Sequence, residues 1–419
     1  MSDIQYINKI NPGKKSKVKR KFLKYLIILL SAFFLSLAGV IALQSYSKDV
    51  PFMNQASDTL SVVFGRGFID SVKKIGYNVM EDIKEAKDET LLITNKSLKN
   101  ENKSESENID KELGYDKLSV SNNQKGEGKL IEAAYVKETI GKLVDIEPLI
   151  LKPVLKNEGK WQVLDSQKYL QKTIIRPDVK KRWARAFICA IDIETIDMHL
   201  VFGSQYKDKN GKYGTGRIDT KHKDVLIASF NGGFQPKHDK GGIVINGVEY
   251  LSLQYDKGTL VIYEDGDIEI VNWTKETEEI ILNKNKRIKF IRQNQPILLN
   301  NGEFNSSVKR WGFVLRGTDP IYAFRSAIGI SADGKYFYYI AGPSLSPESI
   351  ARALTMAGAV NGMHIDMNIS NVAFNYYEKN KKNRYIARSL GKNTFWKSMV
   401  GRYLRGYTHD FFYLTSKTQ

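Results

Sequence analysis

The sequence predicts an α+β fold, in which a mainly antiparallel, twisted sheet core carries packed helices and follows one transmembrane helix and a polar stalk. Three features indicate this. An uncharged apolar run occupies residues 25–47, a polar segment follows it, and short β-rich runs separated by Gly, Asn and Asp fill the chain from residue 143. Runs of this length and spacing are typical of antiparallel sheets.

The composition is that of a chain with a sizeable folded domain. Its 419 residues are 42% hydrophobic, enough for a packed core, and the net charge is +18. A positive surface fits anionic envelope polymers or lipid headgroups, and it also fits an ordinary soluble basic protein. The single cysteine, Cys189, cannot form an intramolecular disulfide. It lies in an apolar run, so we expect a buried strand residue and not a reactive thiol.

Residues 25–47 form the predicted membrane anchor. They contain no charged residue, and a helix of that length spans about 30 Å of hydrocarbon. Eight basic residues and one acidic residue precede the run, which predicts a cytoplasmic tail at 1–24 and an extracytoplasmic C-terminal bulk. A cleaved signal peptide is the alternative. Its apolar stretch would be shorter, and no small-x-small cleavage site ends this one.

Residues 48–142 are the predicted extracytoplasmic stalk. The segment has some helical character at its start and then becomes polar, with too few large apolar residues to fold alone. A folded domain is predicted over 143–419. Its expected strands are Arg185–Ile193, Val225–Phe230, Gly242–Val248, Thr259–Tyr263, Ile268–Val271, Pro296–Leu299 and Tyr336–Ile340. Asn246-Gly247 and Asp265-Gly266 suit tight hairpin turns.

A strand–helix–strand unit is predicted late in this domain. The strand Tyr336–Ala341 precedes Ser346, which can cap a helix, and Pro347, which suits a first helical turn. Gly358 can end the helix in a left-handed conformation. A further strand, Gly362–Ser370, follows. The unit makes the domain α+β and not all-β.

The last strand carries the first candidate site. Side chains alternate between the two faces of a strand. We therefore expect Met363, Ile365, Met367 and Ile369 on the core face, and His364, Asp366, Asn368 and Ser370 together on the other face. That second face offers a carboxylate, an imidazole and an amide to one ligand. A sheet with one face in water gives the same pattern.

Two further segments are candidates. In Asn231-Gly232-Gly233 the glycines permit a tight turn, and adjacent backbone amides can hold an anion, although most such sequences are plain turns. Gly242 marks a second permissive position. Arg325 lies among small and apolar residues, where a guanidinium needs a phosphate or a carboxylate as its partner. A structural ion pair is the alternative.

Taken in order, these motifs resemble the phosphodiester glycosidase family, whose bacterial relatives are described as exopolysaccharide biosynthesis proteins. The resemblance covers about residues 150–415. It rests on Gly159-Lys160-Trp161, Gly214-Thr215-Gly216, Phe230-Asn231-Gly232-Gly233-Phe234, Gly242–Gly247, Arg292-Gln293-Asn294-Gln295-Pro296, Asn301-Gly302, Arg325–Gly329 and Ile365-Asp366. One departure is clear: the family follows this aspartate with glycines and a serine, and this chain has Met367-Asn368-Ile369.

The resemblance implies a hydrolase that removes a sugar from a sugar-1-phosphodiester. Asp366 would be the base or nucleophile, with His364 assisting or orienting it and Arg325 holding the phosphate. Asn231, Gly232, Gly233, Gly242 and Asn368 would bind the substrate. The missing glycines leave a catalytically degenerate polysaccharide-binding or scaffold protein as the alternative.

No cofactor is assigned from the sequence. Asp366 and Asn368 offer oxygen ligands to a divalent cation, but two ligands do not define a metal site. The expected partners are a carbohydrate or sugar-phosphate polymer and, through residues 25–47, the membrane. Nucleic acid is not expected as a partner, because the predicted topology puts the domain outside the cell. The expected location is the cell membrane, with a single span.

Overall fold

Antiparallel β-sheets dominate the part of the chain that the structure, a computed structural model, describes. This part comprises residues 143–152, 154–164, 169–208, 210–236, 238–308, 322–367, 371–380, 385–391 and 400–417. The predicted cytoplasmic tail, membrane anchor and stalk (1–142) lie outside it, as does Asn368. Among the described residues, no helix combines the length and the apolar character needed to cross a membrane.

The strands, in chain order, are β1 (Gln162–Val163), β2 (Leu170–Ile175), β3 (Ala186–Asp192), β4 (Ile196–Val201), β5 (Leu226–Asn231), β6 (Ile243–Ile245), β7 (Val248–Leu251), β8 (Lys257–Tyr263), β9 (Ile268–Trp273), β10 (Ile288–Asn294), β11 (Leu299–Asn300), β12 (Glu303–Phe304), β13 (Ala323–Ser331), β14 (Tyr336–Leu345), β15 (Ala359–Asp366), β16 (Phe374–Lys379), β17 (Tyr385–Ser389) and β18 (Phe411–Ser416). The α-helices are α1 (Lys275–Asn283), α2 (Pro347–Met356) and α3 (Arg402–Arg405). Short 3₁₀ turns occupy Ile193–Thr195, Thr220–Val225 and Ser306–Val308.

These strands form three sheets. The first has the order β1-β2-β3-β14-β13-β15-β11-β12, the second β7-β6-β10-β8-β9, and the third β17-β16-β5-β18-β4. Neighbouring named strands pair antiparallel throughout, for example β13 with both β14 and β15. The predicted mainly antiparallel sheet core is therefore confirmed; it consists of three sheets, and the described helices are few.

The main core lies where the three sheets meet. Its largest cluster draws buried side chains from each sheet, including Ile328 of the first, Leu260 of the second and Phe230 of the third. Cys189 belongs to the same cluster and is fully buried, as the sequence predicts. A second cluster lies on the opposite face of the first sheet, where Ala327 and Tyr338 pack with residues of α2. The first sheet is thus covered on both faces.

Helix α2 has the boundaries that its end signals predict. Ser346 caps it, with its hydroxyl accepting a hydrogen bond from the amide of Ser349 at 3.0 Å, and Pro347 starts it. Gly358, at φ +98°, follows its end. The helix can lie close to the sheet because Gly329 has no side chain: a Cβ there would be 2.6 Å from Leu354 Cδ2. Strands β14 and β15 both pair antiparallel with β13, and they are therefore parallel to each other. Helix α2 connects them.

Several predicted strands differ in extent; the strand predicted from Gly362, for example, begins at Ala359 as β15. Residues 242–248, predicted as one strand, form β6 and the start of β7, because Asn246 and Gly247 both have positive φ and turn the chain between them. Such Asn-Gly pairs favour two-residue hairpin turns. Of the predicted strand Pro296–Leu299, only Leu299 is in a strand, the short β11. The turn predicted at Asp265-Gly266 is present between β8 and β9.

Candidate active site

Asp366 ends strand β15 and is tied to the neighbouring strand by Ser326. The two residues lie opposite each other in the β13–β15 pair. The hydroxyl of Ser326 accepts a hydrogen bond from the Asp366 amide and donates one to the Asp366 carbonyl, each at 3.2 Å. The Asp366 carboxylate accepts from the Met367 amide at 2.7 Å and from Asn371 Nδ2 at 3.2 Å. Asp366 is 4% exposed, so its orientation is set by the protein.

The expected shared face of His364 and Asp366 is not present, because β15 contains a bulge. His364 lies opposite Ala327, and Asp366 lies opposite Ser326, so two steps along β15 correspond to one step along β13. Directly opposite residues share a face, whereas adjacent residues of a strand face opposite ways. His364 therefore lies on the α2 side of the sheet, and Asp366 lies on the side of the main core. A bulge of this kind reverses the alternation beyond it.

Arg325 and His364 lie together on the α2 side. Arg325 is fully buried, and its Nε donates to the Leu345 carbonyl at 2.8 Å. Burial, and secondarily the charge of Arg325, holds the pKa of His364 well below its ordinary value. Of the ion pairs between described residues, none joins Arg325 to Asp366. Both side chains lie on the face of the sheet opposite to that of Asp366. The catalytic roles assigned to His364 and Arg325 remain predictions.

Asn231 positions Ser326 from the third sheet. Its Nδ2 donates to Ser326 Oγ at 3.1 Å, and its Oδ1 accepts from the Tyr339 hydroxyl at 2.8 Å and the Ala373 amide at 3.2 Å. Asn231 is 3% exposed, so its amide serves protein groups. The hydrogen bonds form a chain from Asn231 through Ser326 to the backbone of Asp366. In this structure Asn231 is a positioning residue for the carboxylate.

The two glycines after Asn231 lie against the buried residue Asp410. The Gly232 amide donates to the Asp410 carbonyl, and the Gly233 amide donates to Asp410 Oδ2, each at 3.1 Å. A Cβ on Gly232 would lie 2.0 Å from that Oδ2, and one on Gly233 would lie 2.5 Å from Arg292 NH2. The amides that the sequence assigns to a phosphate are engaged with Asp410. The glycines allow the close approach of the Arg292–Asp410 ion pair.

The motif 292–296 explains how the bulge is held. Arg292 Nε donates to Asp410 Oδ2 at 2.9 Å. Gln293 Oε1 accepts a hydrogen bond from the amide of Gly242 at 3.1 Å. Gly242, predicted to bind the substrate, therefore contacts a residue of the second sheet in this structure. Asn294 Nδ2 donates to the carbonyls of His364 and Ile365, at 2.7 and 2.8 Å. Strand β10 therefore holds the bulged end of β15 through the side chain of Asn294.

A group of residues on the C-terminal side of Asp366 lies close to it without having been predicted from the sequence. Asn371 links them, because its Nδ2 contacts Asp366, its Oδ1 accepts from the Tyr407 hydroxyl at 3.3 Å and its carbonyl accepts from Arg402 NH1 at 3.4 Å. Arg402 NH1 also donates to the Tyr407 hydroxyl at 2.8 Å. Arg402 and Tyr407 lie shortly before strand β18, and no local sequence pattern connects them to Asp366.

Tyr206 adds a hydroxyl to the same region. Its oxygen is buried and has no hydrogen-bond partner within the described part of the chain. Burial raises the pKa of Tyr206 well above its ordinary value, and the negative charges of Asp410 and Asp366 add to that shift. The described residues contain no group of three or more His, Cys, Asp or Glu side chains that would hold a metal ion. The region around Asp366 thus offers a carboxylate, a guanidinium and several hydroxyls.

Residues 224–388 match the model of the family described as phosphodiester glycosidase. The resemblance predicted from the motifs is confirmed for this region, which contains Asn231, the 292–296 motif, Arg325 and Asp366. The motifs at 159–161 and 214–216 lie outside it, as do Arg402, Tyr407 and Asp410. No curated protein sequence matches the chain significantly.

Three solved structures are distantly similar. One is the zebrafish N-acetylglucosamine-1-phosphodiester α-N-acetylglucosaminidase catalytic domain, auto-inhibited by its pro-peptide, with 15% identity over 62% of this chain and 86% of that one and a TM-score of 0.39. Another is a hypothetical protein from Synechocystis, with 11% identity, coverages of 59% and 62% and a TM-score of 0.32. The third is an exported protein from Burkholderia pseudomallei, with 10% identity, coverages of 55% and 74% and a TM-score of 0.27.

Proposed function

We propose that this chain, whose residues 224–388 match the phosphodiester glycosidase family, hydrolyses a sugar-1-phosphodiester with Asp366 as its catalytic carboxylate. The observation that carries the proposal is the fixed position of Asp366 inside the matched region. Ser326 holds its backbone and Asn371 contacts its carboxylate. A carboxylate held by neutral donors is suited to stabilise positive charge or to accept a proton.

The reaction places few demands on an acid catalyst. Water attacks the anomeric carbon, the bond from that carbon to the phosphate oxygen breaks, and the phosphate monoester leaves with the electron pair. The anomeric carbon passes through an oxocarbenium-like state, which a nearby carboxylate stabilises. Asp366 accepts the proton of the attacking water, or it attacks the carbon itself and water then releases the sugar. In either case the products are the free sugar and a phosphate monoester.

The direct test is hydrolysis of a chromogenic sugar phosphodiester and of a nucleoside diphosphate sugar by the full-length protein. We expect Asp366→Asn to lower kcat by about 100-fold or more, the range typical of a general acid–base group. Asp224→Asn is the matched control, because Asp224 is an exposed carboxylate whose side chain is 89% accessible. Full activity of a folded Asp366→Asn protein would contradict the proposal.

A non-catalytic descendant is the second candidate, favoured by one observation. Met367 stands where the family has glycine, is 6% exposed and has its sulfur 4.0 Å from Arg325 NH1. A packed side chain at that position restricts the approach of a ligand backbone or phosphate to the end of β15. Such a protein would bind a polysaccharide or support an envelope complex. Saturable polysaccharide binding without any hydrolysis, unchanged by Asp366→Asn, would favour this candidate.

We further propose that the domain is held outside the cell membrane and acts in envelope or exopolysaccharide metabolism. The support is the sequence alone: the uncharged run 25–47 preceded by basic residues. The anchor predicts that the protein stays in the membrane fraction after alkaline washing, and that external protease removes the domain. The mass of the mature protein distinguishes an uncleaved anchor from a cleaved signal peptide. Retention on DNA at low salt would contradict the expectation that nucleic acid is not a partner.

A further inference from the structure

Arg402 is a buried cation with no carboxylate partner among the described residues. It is 8% exposed, and within the described part of the chain it forms no ion pair. Its polar contacts are with neutral groups, the Tyr407 hydroxyl and the Asn371 carbonyl. Its guanidinium lies 4.9 Å from the ring centre of Tyr407 and 5.9 Å from that of Tyr403. Removing a guanidinium from water without a counter-charge is costly, so such a residue is expected to meet an anion.

Two of the three other arginines buried in the described part of the chain, Arg176 and Arg292, show the contrast. Arg176 pairs with Glu158, and Arg292 pairs with Asp410, in both cases with side chains no more than 5% exposed. Each of these guanidinium groups has a carboxylate from its own chain, and each therefore serves the fold. Arg402 differs from them in having only neutral protein partners. The difference indicates a partner other than the described carboxylates of this chain.

The free edge of the Arg402 guanidinium suits a phosphate. NH1 contacts the Asn371 carbonyl and the Tyr407 hydroxyl, whereas Nε and NH2 have no acceptor among the described residues. Nε and NH2 donate in parallel, which matches two oxygens of a phosphate group. The Tyr407 hydroxyl holds NH1 at 2.8 Å and so fixes the direction of that edge.

The position of Arg402 relative to Asp366 also fits the substrate. Asn371 contacts both residues, through its carbonyl to Arg402 and through its amide to the Asp366 carboxylate. In a sugar-1-phosphodiester, a single oxygen joins the anomeric carbon to phosphorus. A carboxylate for the sugar and a cation for the phosphate must therefore lie side by side. Tyr206, whose pKa is raised in part by the charge of Asp366, adds a buried hydroxyl that has no hydrogen-bond partner among the described residues.

We propose that Arg402 binds the phosphate of the substrate, with the anomeric carbon directed to Asp366. The proposal rests on the proposed function for the identity of the substrate, and it assigns the phosphate contact to a residue outside the region 224–388. Arg325, which the sequence favoured for this contact, lies on the α2 side of the sheet. The substrate class is thus one with a negatively charged phosphate next to the scissile bond, and a neutral glycoside lacks the group that Arg402 would hold.

Phosphate binding by the full-length protein tests the proposal without turnover. Inorganic phosphate and methyl phosphate are titrated and followed by calorimetry or ³¹P NMR. We expect Arg402→Gln to weaken binding at least about tenfold, as the loss of a charge-assisted bidentate contact does, and Arg402→Lys to weaken it less. The matched control is Arg405→Gln, because Arg405 is an exposed arginine of the same helix. Asp366→Asn should retain phosphate binding.

Tyr407→Phe is a second variant that keeps the positive charge, in case Arg402→Gln does not fold. It removes the hydroxyl that orients NH1, and we expect a several-fold loss of phosphate affinity in a protein that still folds cooperatively. Unchanged phosphate binding in a folded Arg402→Gln protein, or no binding by the folded wild type, would overturn the proposal.

Activity separates this inference from the proposed function. If Arg402 binds the phosphate of the substrate, Arg402→Gln raises KM for a sugar phosphodiester and spares binding of the uncharged sugar. Arg402-dependent phosphate binding in a protein without hydrolase activity supports the site and contradicts the proposed function. Hydrolysis that depends on Asp366 but is unaffected by Arg402→Gln contradicts only the inference.

Discussion

Arg292 and Asp410 are 118 residues apart in the sequence and form a buried ion pair, with Arg292 Nε 2.9 Å from Asp410 Oδ2. Both side chains are at most 2% exposed. The same carboxylate oxygen accepts a hydrogen bond from the Gly233 amide. The pair therefore joins strand β10, the loop after β5 and the start of β18. Through these contacts the ion pair holds together the segments that surround Asp366.

Replacing Asp410 by Asn should destabilise the fold strongly. The change leaves Arg292 buried without its carboxylate, which typically costs about 3–5 kcal/mol. Urea unfolding measures the free energy of unfolding of the variant and the wild type. Asp224→Asn breaks an exposed pair with Lys379 and serves as the control, with a much smaller expected change. An Asp410→Asn protein as stable as the wild type would show that the pair does not support the fold.

Gly233→Ala should damage the same ion pair by steric means. The added Cβ would lie 2.5 Å from Arg292 NH2 and 2.7 Å from Cζ, so the guanidinium must move. We expect a loss of about 1–3 kcal/mol, the usual cost of overpacking. Combined with Asp410→Asn, the loss should be smaller than the sum, because both changes act on one contact. Strict additivity in the double-mutant cycle would contradict a shared cause.

Ser326→Ala should lower activity by loosening the end of β15. The hydroxyl accepts from the Asp366 amide and from Asn231 Nδ2 and donates to the Asp366 carbonyl. Its loss leaves buried groups without partners, which costs about 1–3 kcal/mol of stability. We expect kcat to fall about tenfold at an unchanged KM, because Ser326 positions the carboxylate and does not touch the substrate. Ser252→Ala, at an exposed position, is the control. A changed KM at full kcat would contradict this role.

The half-buried His199 should make stability depend on pH. Burial is the main cause that lowers its pKa to about 3, with Lys289 contributing. The unfolded chain binds this proton near pH 6.5 and the folded chain does not, so the contribution is intact above pH 6.5 and is lost as the pH falls towards 3. The slope is at most about 1.4 kcal/mol per pH unit.

The measurement compares the wild type with His199→Asn by urea unfolding at pH 7.5, 6.5, 5.5 and 4.5. Asn cannot take up the proton and can still hydrogen-bond to the hydroxyl of Thr415, which the His199 ring contacts at 3.0 Å. The difference in stability between the two proteins should change below pH 6.5 in favour of the variant. Parallel curves would contradict a depressed pKa.

Much of the local structure was determined by the sequence. The β-rich runs appear as antiparallel strands, and α2 begins at Pro347 and ends before Gly358, where its end signals are. Periodicity, capping and turn preferences act over a few residues, so they can be recognised in one chain. Asp366 could also be recognised as a candidate from the sequence, because it follows an apolar strand and lies within the region that matches the family.

Tertiary structure alone decided what surrounds Asp366. The bulge at Ile365 separates His364 from Asp366 because Asn294, 71 residues away, holds the carbonyl of Ile365. Gly233 contacts Asp410 across 177 residues, and Arg402 contacts Asn371 across 31. No local pattern encodes which distant side chains will meet. Those contacts depend on how the three sheets pack, since packing selects partners by shape, charge and burial and not by separation along the chain.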